Sequence, residues 1–253
     1  MTPVRVVARL DIKGANLIKG IQLEGLRVVG NPNEFARSYY EQGADELLYI
    51  DAVASLYGRN NLFDIVRRTT EDVFIPVTVG GGVRSIDDVR QLLQAGADKV
   101  AINTAAIARP ELITEAARTF GSQCIVISIA AKRRVGGGWE AYVEGGREHT
   151  GVDAVEWAAR AVQLGAGEVI ITSVDQEGGC QGYDIELTKS ISNRCNVPVI
   201  ASGGAGTTGH LVAAVRDGGA NAISVATILH FKKATVADIK HGLSEAGIPT
   251  RPV

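Results

Sequence analysis

Carboxylates stand at the ends of three short apolar segments of the chain. Asp11 ends VRVVARLD, Asp51 ends ELLYID, and Asp175, with Glu177 two positions later, comes directly after EVIITSV. A carboxyl group at the end of a buried parallel strand is a candidate general acid or base, because the strand holds it rigidly beside a cleft. The structural alternative is a loop cap or an ion pair with a nearby lysine such as Lys19. We interpret Asp11, Asp51 and Asp175 as candidate catalytic residues.

Glycine-rich loops follow two other apolar segments, at 80–82 and 203–206. Without Cβ atoms, the backbone N–H groups of such loops can approach an anion closely. After the next strand in each case comes a short helix start, at 103–104 and 226–227, where free amides and the helix dipole favour phosphate. A single glycine-rich turn also suits a tight corner, but this pairing occurs twice. The sequence therefore predicts two opposed phosphate sites and an elongated substrate with a phosphate at each end. The candidate phosphate-binding residues are Gly81, Gly82, Asn103, Thr104, Gly178, Gly203, Gly204, Ala226 and Thr227.

Eight apolar, β-branched segments alternate with amphipathic segments of helical length. Near-continuous apolar runs are typical of strands buried on both faces, as in a parallel sheet. Eight such strands separated by helices predict an α/β protein, a (β/α)8 TIM barrel, with an open doubly wound sheet as the alternative. The predicted strands are 4–11, 46–51, 76–79, 99–102, 124–129, 168–174, 198–201 and 222–225.

Internal similarity favours the closed barrel. GADE at 43–46 and GADK at 96–99 recur as GAGE at 165–168 and GANA at 219–222. Each marks a helix end followed by the entry to a strand. The sequence therefore predicts one domain over 1–253, built of two similar (β/α)4 halves at about 1–123 and 124–253.

Composition narrows the class of protein. The 253 residues carry a formal net charge of −2, so neither nucleic-acid nor membrane binding is expected. Three cysteines without a CxxC pair favour a reducing cytoplasm. The four histidines show no metal-ligand spacing, and we expect neither a metal nor another cofactor.

Several motifs together resemble the cyclase subunits of imidazole glycerol phosphate synthase: ARLDIKGANLIKG, TVGGGVRSIDD, KVAINTAA, GYDIEL and VIASGGAG. The resemblance covers essentially the whole chain. It implies a (β/α)8 barrel of histidine biosynthesis that accepts ammonia from a glutaminase. The ammonia is joined to a bis-phosphorylated formimino aminoimidazole carboxamide ribonucleotide, giving imidazole glycerol phosphate and an aminoimidazole carboxamide ribotide.

The resemblance also implies roles for single residues. Asp11 matches the family's general acid or base on the first strand, and Lys19 matches the lysine of a mobile loop over the substrate. A glutaminase is expected to form a heterodimer at the strand N-terminal face, where a ring of charged residues admits ammonia. The alternative for the ring is a salt-bridged plug, because buried charges must be paired. The gate residues implied in this way are Arg5, Glu46, Lys99 and Glu168.

The sequence departs from the family at the second catalytic carboxylate. The family's VxxIDAKR-like stretch is VISIAAKRR here, so a methyl group, Ala130, stands at the catalytic position. Val28 replaces an aspartate of the first loop, the loop after Asp175 lacks a basic residue and a hydroxyl, and Arg9 replaces a small residue. Proton transfer by a placed side chain contributes typically ~10²–10⁴-fold, so the sequence predicts impaired activity and a gain of at least ~100-fold on Ala130→Asp.

Three explanations of Ala130 remain open at this point. The chain is a cyclase impaired at that position, or a slow cyclase that works from Asp11 alone, or a paralogue. The paralogue would channel ammonia for amination of a nucleotide sugar in surface polysaccharide synthesis. A non-catalytic ammonia conduit overlaps with the paralogue and belongs to a different class of function.

Overall fold

Eight parallel strands close into a barrel in the part of the chain that the computed structural model describes, residues 2–54 and 62–252. The strands, in chain order, are β1 (Arg5–Lys13), β2 (Asn16–Ile21), β3 (Glu24–Gly30), β4 (Glu46–Asp51), β5 (Val77–Gly80), β6 (Lys99–Ile102), β7 (Ile125–Arg133), β8 (Trp139–Val143), β9 (Glu148–Asp153), β10 (Glu168–Ser173), β11 (Val199–Ser202) and β12 (Ala222–Val225). Around the barrel the order is β1, β4, β5, β6, β7, β10, β11 and β12, and β12 pairs again with β1. This closure confirms the predicted barrel and excludes the open sheet.

Helices connect the barrel strands and pack against them through their apolar faces. Local sequence sets where several begin: Ser85 and Asp88 form a reciprocal capping box, as do Thr235 and Asp238. Within the described residues, no helix is long and apolar enough to span a membrane. The helices are α1 (Pro32–Glu41), α2 (Leu62–Asp72), α3 (Ile86–Gln94), α4 (Thr104–Ala108), α5 (Glu111–Phe120), α6 (Ala154–Gln163), α7 (Ile185–Ser192), α8 (Thr208–Arg216), α9 (Thr227–His230) and α10 (Val236–Glu245).

The barrel interior is arranged in four levels, which can be followed along β1. Side chains alternate across a strand, so every second residue of β1 faces the interior. Arg5 lies at the floor, Val7 in an apolar layer, Arg9 above that layer and Asp11 at the upper mouth. The apolar layer comprises Val7, Leu48, Ala101, Val126, Ile170, Ile200 and Ala222, all at most 2% exposed.

Two antiparallel hairpins extend from the mouth of the barrel, and no strand was predicted in either of them from the sequence. β2 folds back on β1, pairing Ile18 with Asp11, and continues into β3. β8 folds back on β7, pairing Tyr142 with Ala130, and continues into β9. No residue of β3 or β9 is buried, β2 and β8 mix buried with partly or fully exposed residues, and all four lack the long buried apolar runs of the barrel strands. The β2–β3 hairpin places Lys19 over the mouth.

Candidate functional site

A cavity of about 200 Å³ opens at the carboxyl ends of the barrel strands. Its wall includes catalytic candidates Asp11, Lys19 and Asp51, together with Ala130. Asp51 also caps its own loop, because its Oδ1 accepts a hydrogen bond from the N–H of Val53 at 3.0 Å. The sequence singled out no role for three further charged residues that line this cavity, namely Arg84, Glu144 and Arg147.

One predicted phosphate group lines this larger cavity: Gly81, Gly82, Asn103 and Thr104. Gly81 has φ +98°, and a Cβ there would run into the backbone of Asp51, so only glycine fits. Asn103 donates from Nδ2 to the carbonyl oxygen of Tyr142 at 3.2 Å. Its Oδ1 is buried, and no hydrogen-bond partner lies among the described residues. This end of the cavity therefore combines a glycine loop, a helix start and an unpaired polar atom.

The other predicted phosphate group lines a second, small cavity across the mouth. Gly178, Gly203, Gly204, Ala226 and Thr227 all contribute to its wall. At Gly204, φ is +103° and a Cβ would collide with the carbonyl oxygen of Gly182. The structure thus brings the nine phosphate candidates together as two groups, each of which lines its own cavity.

Four buried charges form a chain between the two cavities: Arg9, Asp11, Lys19 and Glu177, each at most 7% exposed. The Nε of Arg9 donates to Oδ1 of Asp11 at 2.8 Å. Lys19 Nζ lies 3.5 Å from Oδ2 of Asp11 and also pairs with Oε1 of Glu177. Burial alone would raise the pKa of Asp11, but the charges of Arg9 and Lys19 outweigh it and hold the pKa below its ordinary value. Asp11 is therefore a carboxylate held between two cations.

Ala130 lies in apolar surroundings at the wall of the larger cavity. Its methyl group packs with Leu23, Tyr142 and Val174 and is 8% exposed. Because a methyl group neither gives nor takes a proton, this part of the wall presents no acid or base.

Asp175 is not among the residues that line either cavity. Its Oδ2 instead accepts a hydrogen bond from the N–H of Arg133 at 2.8 Å. The contact joins the loop after β10 to the end of β7. In the described structure Asp175 organises these loops from outside the cavities, whereas the sequence analysis expected it among the catalytic candidates.

The four residues proposed as the gate form a closed ring at the opposite end of the barrel. Arg5 Nη1 is 2.7 Å from Oε2 of Glu46, and Arg5 Nη2 pairs with Oε1 of Glu168. Lys99 Nζ is 3.0 Å from Oε2 of Glu46 and 2.8 Å from Oε2 of Glu168. The charges alternate, so the ring is neutral. The carboxylates are almost fully buried and the cations are partly exposed.

Among the described residues, no group of three or more His, Cys, Asp or Glu side chains could hold a metal ion. The three cysteines are unpaired thiols. The charged groups that line the two cavities are carboxylates, ammonium groups and guanidinium groups.

Comparison with known proteins places this barrel in a family. A model described as "Histidine biosynthesis protein" matches residues 5–235. A Legionella pneumophila protein named imidazole glycerol phosphate synthase subunit HisF is 65% identical over 206 residues, covering 81% of this chain and 97% of the relative. A protein of the same name from Caulobacter vibrioides is 49% identical over 252 residues, covering 99% of this chain and 97% of the relative. Sequence, barrel and relatives agree, and the chain belongs to the histidine biosynthesis protein family, among the relatives of the cyclase subunits of imidazole glycerol phosphate synthase.

Proposed function

We propose that the chain is the ammonia-accepting cyclase subunit of a glutamine amidotransferase and that it binds a substrate with a phosphate at each end. The observation that carries the proposal is the position of Asp11, which lines a cavity between two glycine-loop groups. The products would be imidazole glycerol phosphate and an aminoimidazole carboxamide ribotide, in keeping with the name of the relatives.

The substrate would span the mouth of the barrel. One phosphate would meet the backbone N–H groups around Gly82 and Thr104, and the other would meet those around Gly204 and Thr227. Both groups lie in loops that follow barrel strands, so the barrel sets their separation. The middle of the substrate would then lie beside Asp11, with Lys19 of the β2–β3 hairpin above it.

Ammonia would reach this cleft from the floor of the barrel. The ring of Arg5, Glu46, Lys99 and Glu168 closes the floor, and the apolar layer above it would pass neutral ammonia more easily than charged ammonium. We propose a glutaminase bound at this face as the source. The relatives are named as subunits, which supports a partner chain.

Catalysis of the cyclisation would be impaired, because the reaction requires two groups that exchange protons and the wall at Ala130 provides none. A second candidate, a non-catalytic ammonia conduit, is favoured by one specific contrast. The ring at the floor is complete, whereas the proton-transfer set at the mouth is not. An ammonia-transferring paralogue that serves another acceptor has the same support.

The test is to titrate the purified chain with the bis-phosphorylated substrate by calorimetry and to follow its ammonium-dependent conversion by absorbance. We expect binding to be retained and turnover to lie ~10²–10⁴-fold below that of a relative with a carboxylate at position 130. As a matched control, Gly204→Ala should weaken binding, because its Cβ collides with Gly182. Failure of the unchanged chain to bind the substrate would reject the cyclase and favour the paralogue.

A further inference from the structure

Arg9 occupies the centre of the barrel, one level above the apolar layer. Its side chain starts on β1 and crosses the interior, where Nη1 lies 3.1 Å from Oγ1 of Thr172 and 3.1 Å from Oγ of Ser202. These partners belong to β10 and β11. Arg9 also lines both cavities, so its guanidinium forms a common wall between the two groups of phosphate candidates.

The guanidinium determines the surroundings of Asp11. One carboxylate oxygen of Asp11 accepts from Arg9 Nε at 2.8 Å, and the other faces Lys19 Nζ at 3.5 Å. Glu177 faces the same lysine from the loop after β10. His230, on α9, is a further titratable group that acts on Asp11, and burial lowers its pKa to about 4, so it is neutral at pH 7. Asp51 lines the same cavity as Asp11. Asp11 thus has two fixed cations against its two oxygens.

We propose that Arg9 is a positioning residue that holds Asp11 as a permanent carboxylate and, together with Ala130, removes proton transfer from the cleft. The inference rests on the proposed cyclase function. Two cations against a carboxylate stabilise its ionised form, which makes Asp11 a weaker base and its protonated form scarcer. On this proposal both members of the proton-transfer pair are impaired, one by the absence of a carboxyl group at position 130 and one by the cations that face Asp11.

This arrangement revises the expectation drawn from the sequence alone. An aspartate at position 130 would face the cavity that Arg9 also lines, and it would restore only one of the two groups. Asp11 would remain paired to the guanidinium. Recovery of activity therefore requires both Ala130→Asp and removal of the charge at Arg9.

Arg9→Gln and Arg9→Lys form a matched pair of variants. Glutamine removes the charge and keeps hydrogen-bonding groups near Thr172 and Ser202, whereas lysine keeps the charge. Asp11 retains Lys19 in both variants, so its carboxylate is not left without a cation.

The first measurement is the carbon-13 NMR titration of aspartate carboxyl groups, with the Asp11 signal identified from Asp11→Asn. In the unchanged chain we expect Asp11 to titrate below the ordinary value of ~3.9. Arg9→Gln should raise its pKa by about one unit or more, and Arg9→Lys should leave it low. If Arg9→Gln does not fold, the pKa of Asp11 in the unchanged chain still tests the proposal. An Asp11 that titrates at its ordinary value there would overturn it.

The second measurement is ammonium-dependent turnover of the bis-phosphorylated substrate. We expect Ala130→Asp alone to gain less than ~10-fold and the double variant with Arg9→Gln to gain at least ~100-fold. The double variant with Arg9→Lys should stay close to Ala130→Asp alone. Equal activity of the three proteins that carry Ala130→Asp would overturn the role of Arg9.

The two proposals fail in different ways. If Asp11 titrates upward in Arg9→Gln, and the double variant binds substrate but gives no product, the cyclase proposal fails while the control of Asp11 by Arg9 stands. If the double variant is active but Ala130→Asp is equally active, the cyclase proposal stands and the inference on Arg9 fails.

Discussion

The floor and the mouth of the barrel each hold two cations and two buried anions, but the two networks are built differently. The floor network (Arg5, Glu46, Lys99 and Glu168) is a closed ring in which every charge has two opposite neighbours. All four of its residues stand on barrel strands. The mouth network (Arg9, Asp11, Lys19 and Glu177) is an open chain whose two end members each form one ion pair. Two of its members stand on a hairpin and a loop.

The two networks differ in how their charges are anchored. A ring on rigid strands cannot relax when one member is lost, because each residue is fixed on the barrel wall. The mouth network joins β1 to the β2–β3 hairpin and to the loop after β10, so two of its four members stand outside the barrel wall. We therefore expect substitutions at the floor to lower mainly the free energy of unfolding, and substitutions at the mouth to change mainly the catalytic activity.

The largest expected effect is loss of stability in Glu46→Ala. Glu46 is 1% exposed, and it faces Arg5, Lys99 and, at 2.5 Å, the Oγ1 of Thr78. Removal of one partner from such a charge network costs about 3–5 kcal/mol, because Arg5 and Lys99, each less than a fifth exposed, are then left with Glu168 as their remaining ring carboxylate. Glu177→Ala should cost less, about 1–3 kcal/mol, since Lys19 retains Asp11 and stands on a hairpin outside the barrel wall.

Denaturant unfolding of both variants measures this difference. Glu41→Ala is the control, since its ion pair with Arg37 is about 60% exposed and is worth at most ~0.5 kcal/mol. A Glu177→Ala variant less stable than Glu46→Ala would reverse the assignment of the two networks.

The second prediction concerns acid sensitivity beside the mouth network. His230 is 4% exposed, its Nδ1 lies 2.6 Å from the hydroxyl oxygen of Tyr39, and its Nε2 has no partner among the described residues. Burial, with help from Lys19 and Arg9, lowers its pKa from 6.5 to about 4. The unfolded chain therefore takes up a proton first as the pH falls below 6.5, and the folded state loses stability down to about pH 4.

Between pH 7 and pH 5 this linkage should lower the free energy of unfolding by about 2 kcal/mol. His230→Gln should remove that part of the pH dependence, whatever its effect at pH 7. His241→Gln is the matched control, because His241 is largely exposed. Denaturant unfolding curves at pH 7 and pH 5 measure this change. If the free energy of unfolding of His230→Gln still falls as much between the two pH values, His230 is not the buried neutral histidine that causes the pH dependence.

Much of this architecture could be predicted from residue types alone. Barrel strands were found because runs such as KVAI and AISV are apolar on both faces, and their boundaries agree with β6 and β12. Membership of the ring at the floor was implied by the family resemblance, and the two cations and two anions pair in the structure. For the strands, local sequence carries the information.

Other features depend on contacts that the sequence does not display. Arg9 was recognised as a departure from the family, but its partners Thr172 and Ser202 lie 163 and 193 positions away. The displacement of Asp175 from the cavities follows from a backbone contact with Arg133. The hairpins were missed because half-exposed strands of five to seven residues have little apolar signal. Such features are determined by tertiary pairing and not by local pattern.

The third prediction tests whether the floor ring acts in ammonia transfer or only in stability. With a bound glutaminase, Lys99→Ala should change the ratio of glutamine-dependent to ammonium-dependent turnover by about 5-fold or more. Ammonium-dependent turnover should be largely intact, because Lys99 is at the opposite end of the barrel from Asp11. Lys99→Arg, which keeps the charge, should stay closer to the unchanged ratio. If turnover of the unchanged chain is too slow to measure, the assays use the double variant Ala130→Asp with Arg9→Gln. Equal loss of glutamine-dependent and ammonium-dependent turnover in Lys99→Ala would mean that the ring is purely structural.

The last and smallest effect is the coupling energy of an exposed ion pair of the β2–β3 hairpin, which we compare with the buried pair of Lys19 and Glu177. Arg147 Nε lies 3.0 Å from Oε1 of Glu24, and the two side chains are 33% and 63% exposed. Solvent and salt screen such a pair, so its coupling energy should be about 0.2–1 kcal/mol. A double-mutant cycle of Arg147→Ala and Glu24→Ala, read from amide hydrogen exchange in β2 and β3, measures this coupling. It should weaken further in high salt, whereas the buried pair of Lys19 and Glu177 is shielded from the solvent. A coupling above about 2 kcal/mol would mean that the outer pair, and not the mouth network, holds the hairpin over the cleft.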